Sequence, residues 1–331
     1  MIFVANQHST NGTYEVPSDS DIEIRQATLE DEPGVRELTS QIWTDRGGDY
    51  LQRVYPDWIE GPDDEHKRTF LADAGDGVAG IVQAVMLSAD EAWFQGMRVG
   101  NEYRRQGLSR RLNEACFDWT REQGATVGRL MIFSWNAAAL GASRSAGYGP
   151  STEFRWAHPT PDADTSIPDP VATSGNAARA WRYWTTSEAR EHLRGLALDP
   201  DESWALRELT RADLHRFVDE STVFTVDRPD GVAGMSYRNR TYERETDDGE
   251  TELWAEYGVS AWEDTEAARS LFGAISRDAA ALEADQTRVL LPETVRWISD
   301  ASLAAGHISE HPDFVLGIDL TGGAPAPRRK D

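Results

Sequence analysis

The stretch Met97-Arg98-Val99-Gly100-Asn101-Glu102-Tyr103-Arg104-Arg105-Gln106-Gly107-Leu108-Ser109 decides how the rest of the chain is read. Its first residues close a strand-like run, its middle is a tight loop containing Gly107, and its last residues open a helix. In such a turn successive backbone N–H groups point outward, with the positive end of the helix dipole behind them. That makes a pocket for a pyrophosphate. Gly107 removes the side chain that would block close approach, and Arg104 and Arg105 add positive charge. On spacing alone, a solvated turn before an amphipathic helix accounts for the same residues.

Upstream, Ile22–Arg25 reads as a short strand, and Leu29–Trp43 has helical spacing through Val35, Leu38 and Ile42. A second helix is expected over 49–59, then strands near 69–73, 78–87 and 91–99. Downstream, Leu108, Leu112, Ala115, Cys116 and Trp119 share one face of a helix that Gly124 ends. A buried-type strand Val127–Trp135, a small-residue helix Ala137–Ala146 and a strand Glu153–Trp156 come next. This order describes an α/β unit with a mixed sheet, and it excludes a two-domain dehydrogenase.

With its flanks, the opening stretch resembles the GCN5-related N-acetyltransferase (GNAT) family. The family's acyl-CoA loop reads Gln/Arg-x-x-Gly-x-Gly/Ala, and Arg104-x-x-Gly107-x-Ser109 matches it except at Ser109. Asn136, Ala139 and Gly147-Tyr148 match a second feature of the family at its spacing. The resemblance covers about residues 22–157. It implies acetyl-CoA as co-substrate, with pantetheine bonded to backbone near Met97 and Val99. The pyrophosphate would sit on Arg104, Arg105, Gln106, Gly107, Leu108 and Ser109, with Asn136 near the pantetheine arm. An amine would attack the thioester directly, its oxyanion held by backbone N–H near Val99. Because an alkyl ammonium has a pKa of about 10, a base must remove its proton. Glu91 is the candidate base, an exposed strand-end carboxylate being its plainer identity. Ser143 stands where many relatives carry a tyrosine that protonates the leaving thiolate, and Tyr148 reads as core. Glu37, Asp45 and Asp49 are either substrate-binding acids or solvated helix charge. Cys116, on an apolar helix face, reads as a packed thiol.

The second half echoes the first. Asp76-Gly77-Val78-Ala79-Gly80 recurs as Asp230-Gly231-Val232-Ala233-Gly234, each time between strand-like runs. The Pro-rich stretch His158–Asn176 reads as an extended linker. The expected organisation is therefore a leader at 1–20, an acyl-CoA-binding domain at 21–157, a linker at 158–177, a degenerate GNAT-like domain at 178–322 and a tail at 323–331. Ser260-Ala261-Trp262-Glu263-Asp264 offers no Gly-containing phosphate loop, so the second half is expected to keep the fold and lose the cofactor.

Asp and Glu total 57 against 33 Lys and Arg in 331 residues, a formal charge of −24, and only Lys67 and Lys330 are lysines. Such a charge repels phosphate backbones and argues against nucleic acid as a partner. A salt-adapted acidic surface explains it better than attraction of a cationic substrate. No apolar run approaches the ~18 residues of a membrane helix, and the N-terminus reads as no secretory signal, which points to the cytoplasm. A single cysteine excludes an internal disulfide, and no histidine pair has ligand spacing, so no metal is expected. Most of the 12 tryptophans should be core. Two halves in one chain can do what a dimer does, so a monomer is expected, with a homodimer as the alternative. The reading is an N-acetyltransferase acting on a small-molecule or peptide amine. A non-catalytic acyl-CoA sensor or scaffold, and a protein N-terminal acetyltransferase, are the alternatives.

Overall fold

The computed structural model describes residues 22–40, 42, 48–60, 65–172, 176–246 and 248–322. The leader at 1–20, the tail at 323–331 and Asp45 lie outside the described residues. In chain order come β1 (Glu23–Gln26), α1 (Glu32–Thr39), α2 (Leu51–Glu60), β2 (Lys67–Asp73), β3 (Val78–Met86), β4 (Glu91–Val99), α3 (Leu108–Glu122), β5 (Val127–Phe133), α4 (Ala137–Ser145) and β6 (Gly149–Ala157). After them stand β7 (Val171–Ala172), α5 (Ala177–Trp184), α6 (Glu188–His192), β8 (Leu196–Leu198), β9 (Leu206–Glu208), α7 (Arg211–Glu220), β10 (Thr222–Arg228) and β11 (Gly231–Glu245). The last are β12 (Thr251–Tyr257), β13 (Ala261–Trp262), α8 (Thr265–Ala281), β14 (Gln286–Pro292), α9 (Val295–Ala304) and β15 (Asp313–Asp319). The fold class is mixed α/β, as the sequence predicts.

Two compact units divide the chain, and the division cuts through strands. The first takes the described parts of 1–64, 68–83 and 96–116, and the second takes 65–67, 84–95 and 117–331. In the first unit β1 pairs antiparallel with β2. Its core is Val35, Leu51, Tyr55, Leu71 and Ile81, with Leu38 and Trp58 packed on it. The helix expected over 29–43 is shorter, because α1 begins only at Glu32, with Pro33 in its first turn, where the missing N–H costs nothing.

Two glycines shape β4 in this unit. A Cβ on Gly80 would stand 2.8 Å from the Arg98 carbonyl oxygen and 3.1 Å from Leu112, so β3 can approach this closely only without a side chain. Gly96 lies inside β4 at φ +67°, and its Cβ would overlap the Trp58 indole. A left-handed glycine within a strand marks a bulge that re-aims the residues after it. Gly96→Ala is expected to destabilise the protein by about 1–3 kcal/mol through backbone strain and the displaced indole. Urea unfolding would read this, and an unchanged midpoint would remove the assignment.

In the second unit the sheet runs β4-β5-β15-β6-β14-β12-β11-β10-β7. Two of its pairings are parallel, β4 with β5 and β12 with β14. The β4–β5 ladder covers only Glu91–Trp93 against Val127–Arg129, and past it the strands part although β5 continues to Phe133. The strands of the two sequence halves are exchanged here. β15 lies antiparallel to both β5 and β6, and β6 in turn pairs with β14. Gly234, the counterpart of Gly80, also lets a backbone come close, with the Ala261 carbonyl oxygen 3.1 Å from where its Cβ would stand. α8 is buried along most of its length. Residues 162–167 of the Pro-rich segment are docked on the helix. Asp162 N donates to Ser276 O at 3.1 Å, and the Ser166 carbonyl occupies the space a Cβ on Gly273 would need.

Candidate functional site

The loop singled out in the sequence lies wholly in the first unit. β4 ends at Val99, Asn101–Tyr103 make one 3-10 turn, and α3 starts at Leu108. Arg105 at φ +66° and Gly107 at φ +80° both adopt the left-handed region, which turns successive N–H groups toward one side. Arg110 N and Arg111 N donate to the Gly107 carbonyl at 3.0 and 3.1 Å. Among the described residues no group accepts from the N–H of Gly107, Leu108 or Ser109, as the open first turn of a helix requires. A Cβ on Gly107 would meet nothing within 4 Å among the described residues, so the glycine faces open space. The glycine answers to its φ and to that open space rather than to packing.

The neighbouring side chains divide into scaffold and free charge. Arg104 and Arg105 are exposed, Leu108 is buried as the anchor of α3, and Gln106 Nε2 is turned back onto the Glu102 carbonyl at 3.0 Å. Arg98, between the expected pantetheine contacts Met97 and Val99, grips Asp49 through Nε–Oδ2 at 2.6 Å and Nη2–Oδ1 at 3.1 Å. Its Nη1 donates to the Met97 carbonyl at 3.0 Å. Asp49 is thus neither a solvated helix charge nor a substrate acid, since it fixes Arg98 and caps α2 through Leu51 N. Glu37 is exposed on α1. The arrangement offers a pyrophosphate a fork of backbone donors and two exposed guanidiniums, and the residues present fit that group.

The corresponding place in the second half is closed. β13 pairs with β11 where a loop would stand, and Trp262 is buried there. The N-terminus of α8 is capped by Asp264, which accepts from Ala267 N at 2.9 Å. Hydrogen bonding from Arg228 holds that carboxyl at about 2.

The remaining sequence candidates belong to the second unit. Asn136 caps α4, its Oδ1 accepting from Ala139 N at 3.1 Å. Ser143 lies half-buried on α4. Tyr148 is fully buried, edge-on to Phe94 and Phe117, and is core as expected. Cys116, in the first unit, is also fully buried, and burial pushes its thiol well above the usual range. Glu91 requires a correction. It opens β4, at the end of the strand opposite to the loop, and is buried rather than exposed. Its Oε1 takes a short ion pair from Arg129 Nη1 and a hydrogen bond from Glu208 N at 3.2 Å. A carboxylate so engaged ties β4 to β5 and to β9. Among the described residues no group of three or more His, Cys, Asp or Glu side chains could hold a metal ion. No described helix is long and apolar enough to cross a membrane. The sequence reading missed Trp204, Arg288 and Asp313, which line a cavity in the second unit.

Residues 33–148 match the family model described as Acetyltransferase (GNAT) family. Over 92 residues, 28 % of this chain, the sequence is 34 % identical to the [ribosomal protein bS18]-alanine N-acetyltransferase of Escherichia coli (strain K12). The chain spans 61 % of that relative's length. Among solved structures, a GCN5-related N-acetyltransferase from Sphaerobacter thermophilus is similar over 93 % of this chain and 98 % of its own (15 % identity, TM-score 0.54). A Thermoplasma acidophilum protein is similar over 90 % and 99 % (13 % identity, TM-score 0.52). At such identities these two likenesses speak for the fold. Loop, second motif and family match coincide on one segment, residues 33–148, and over that segment the chain is similar to the GNAT acetyltransferase family.

Proposed function

We propose that the chain is an acetyl-CoA-dependent N-acetyltransferase whose cofactor-binding loop is Arg104–Ser109. The observation that carries this reading is the N–H run of Gly107, Leu108 and Ser109 at the start of α3, which has no acceptor among the described residues, beside a Gly107 that faces open space. Acetyl-CoA would supply an activated acyl group that an amine attacks at the thioester carbonyl, the thiolate leaving with a proton. Backbone at Met97 and Val99 would orient the pantetheine arm, with Arg98 kept off it by Asp49. Ser143 is a weak proton donor to the thiolate, and solvent serves in its place. The capped N-terminus of α8 leaves cofactor binding to the first half alone. The 34 % identity to an enzyme acting on a ribosomal protein favours a protein α-amine as a second reading of the acceptor.

Calorimetry with acetyl-CoA, in high salt to keep so acidic a chain folded, tests the proposal. Gly107→Glu should weaken binding about 10–100-fold, because it removes charge-assisted bonds and adds a like charge. Gly75→Glu is the control, since Gly75 is equally left-handed (φ +84°) and open, but lies in the turn between β2 and β3. Equal losses in the two variants, or no binding by the wild type, would overturn the loop assignment. Binding without thiol release on any amine would favour the sensor.

A further inference from the structure

A cavity of about 270 Å³ lies entirely within the second unit and shares no residue with the acyl-CoA loop. It falls just under the ~300–1,000 Å³ of small-molecule pockets, which suits one ring system and its substituents. Its walls include Trp135, Trp156, Trp204 and Trp254. Trp204 is 36 % exposed and holds φ +67°, a region a bulky residue rarely adopts and one that gathers at binding sites.

Two buried charges line this cavity, each only partly used. Arg288, 5 % exposed, lies 4.7 and 4.6 Å from the ring centroids of Trp156 and Trp204. Its Nε donates to Glu256 at 2.5 Å and its Nη2 pairs with the same carboxylate, but among the described residues nothing accepts from Nη1. Asp313, also 5 % exposed, accepts from Trp156 Nε1 on Oδ2 at 3.1 Å. Among the described residues nothing donates to its Oδ1. His158 Nδ1 is 2.8 Å from the Thr287 carbonyl and so carries the proton, which leaves Nε2 as a further acceptor.

A buried donor and a buried acceptor open to one cavity call for partners. A simple cation would satisfy Asp313 but face Arg288 and Arg244, and a simple anion would satisfy Arg288 but face Asp313. A molecule carrying both charges satisfies both, and the indole walls add a face for an aromatic ring. We infer that this cavity binds a small aromatic zwitterion of the α-amino-acid kind, its carboxylate toward Arg288, its ammonium toward Asp313 and its ring among the tryptophans. The site stands independently of the acetyl-CoA reading.

Three probes sharing one indole ring separate the charges: tryptophan, tryptamine and indole-3-acetate, titrated into the full chain by calorimetry at pH 7.5. Tryptophan should bind at least about tenfold tighter than either of the others. Asp313→Asn should weaken tryptophan about tenfold while leaving indole-3-acetate unchanged or tighter. Trp204→Gly, which the backbone accommodates, should weaken tryptophan by a similar factor. Tighter or equal binding of tryptamine or indole-3-acetate would overturn the inference. So would an absence of heat with all three probes at millimolar concentration, or unchanged tryptophan affinity in Asp313→Asn.

Discussion

Replacing Glu256 with Gln will destabilise the protein by about 3–5 kcal/mol, the usual cost of stranding a buried charge. Glu256 is fully buried and serves two guanidiniums, Arg240 through Nε at 3.0 Å and Arg288 through Nε at 2.5 Å. Asn239 Nδ2 adds a third donor at 2.9 Å. With the carboxylate neutralised, Arg240 can turn outward, since 18 % of its side chain already meets solvent, whereas Arg288 is at 6 % and has nowhere to go. Urea unfolding should show the midpoint falling with its slope unchanged. Adding Arg288→Met should recover part of the loss, because removing both members of a buried pair is milder than removing one. A change under about 0.5 kcal/mol would mean that water or rearrangement already screens this cluster.

Asp313→Asn will have the opposite sign. Burial pushes the Asp313 carboxyl up to about 6, against the opposing pull of the Trp156 hydrogen bond and of Arg155 and Arg288. The unfolded chain ionises near 3.8 and the folded chain only near 6, so the folded state holds the extra proton between those values. Stability is therefore full below about pH 4, falls as pH rises through the window to 6, and stays reduced above it. The loss amounts to about 3 kcal/mol at most. Asn keeps an acceptor for Trp156 Nε1 and carries no charge, so the variant should be more stable than wild type by about 1–3 kcal/mol at pH 7.5 and equal to it at pH 4. Thermal unfolding at the two pH values measures this. A variant less stable at pH 7.5 would mean that attraction from Arg288 outweighs desolvation. A residue that costs stability where it stands is more readily explained by binding than by folding.

The elements that local pattern controls were legible in the sequence. α3 was visible because its apolar residues recur at helical spacing and Gly124 stops it, and the second Asp-Gly turn because Gly231, at φ +151°, supplies its geometry. The phosphate loop was legible for the same reason, since Gly107 is required by φ and not by distant neighbours. What escaped depends on partners far along the chain. Nothing local distinguishes Glu91 as a strand-end acid from Glu91 as the buried mate of Arg129, 38 positions on. Residues 178–221 carry α5, α6 and α7, whose short helices lack a long periodic run. The Trp156–Asp313 bond joins positions 157 apart, so the cavity beside it had no sequence signature. The exchange of β6 and β15 was hidden in the same way, because order along the chain does not state order across a sheet.

That exchange also sets a timetable for synthesis. Asp313 pairs with Phe133, 180 positions earlier, so β5 emerges from the ribosome long before its neighbour exists. At about 5–20 residues per second the wait is roughly 10–40 s. Throughout it the edge Val127-Gly128-Arg129-Leu130-Met131-Ile132-Phe133 is unfilled, an apolar stretch with a single charge. Unfilled edges of this composition recruit other nascent chains. A message cut before codon 313 would make that vacancy permanent, so loss of the last strand should appear first as insolubility of the first half.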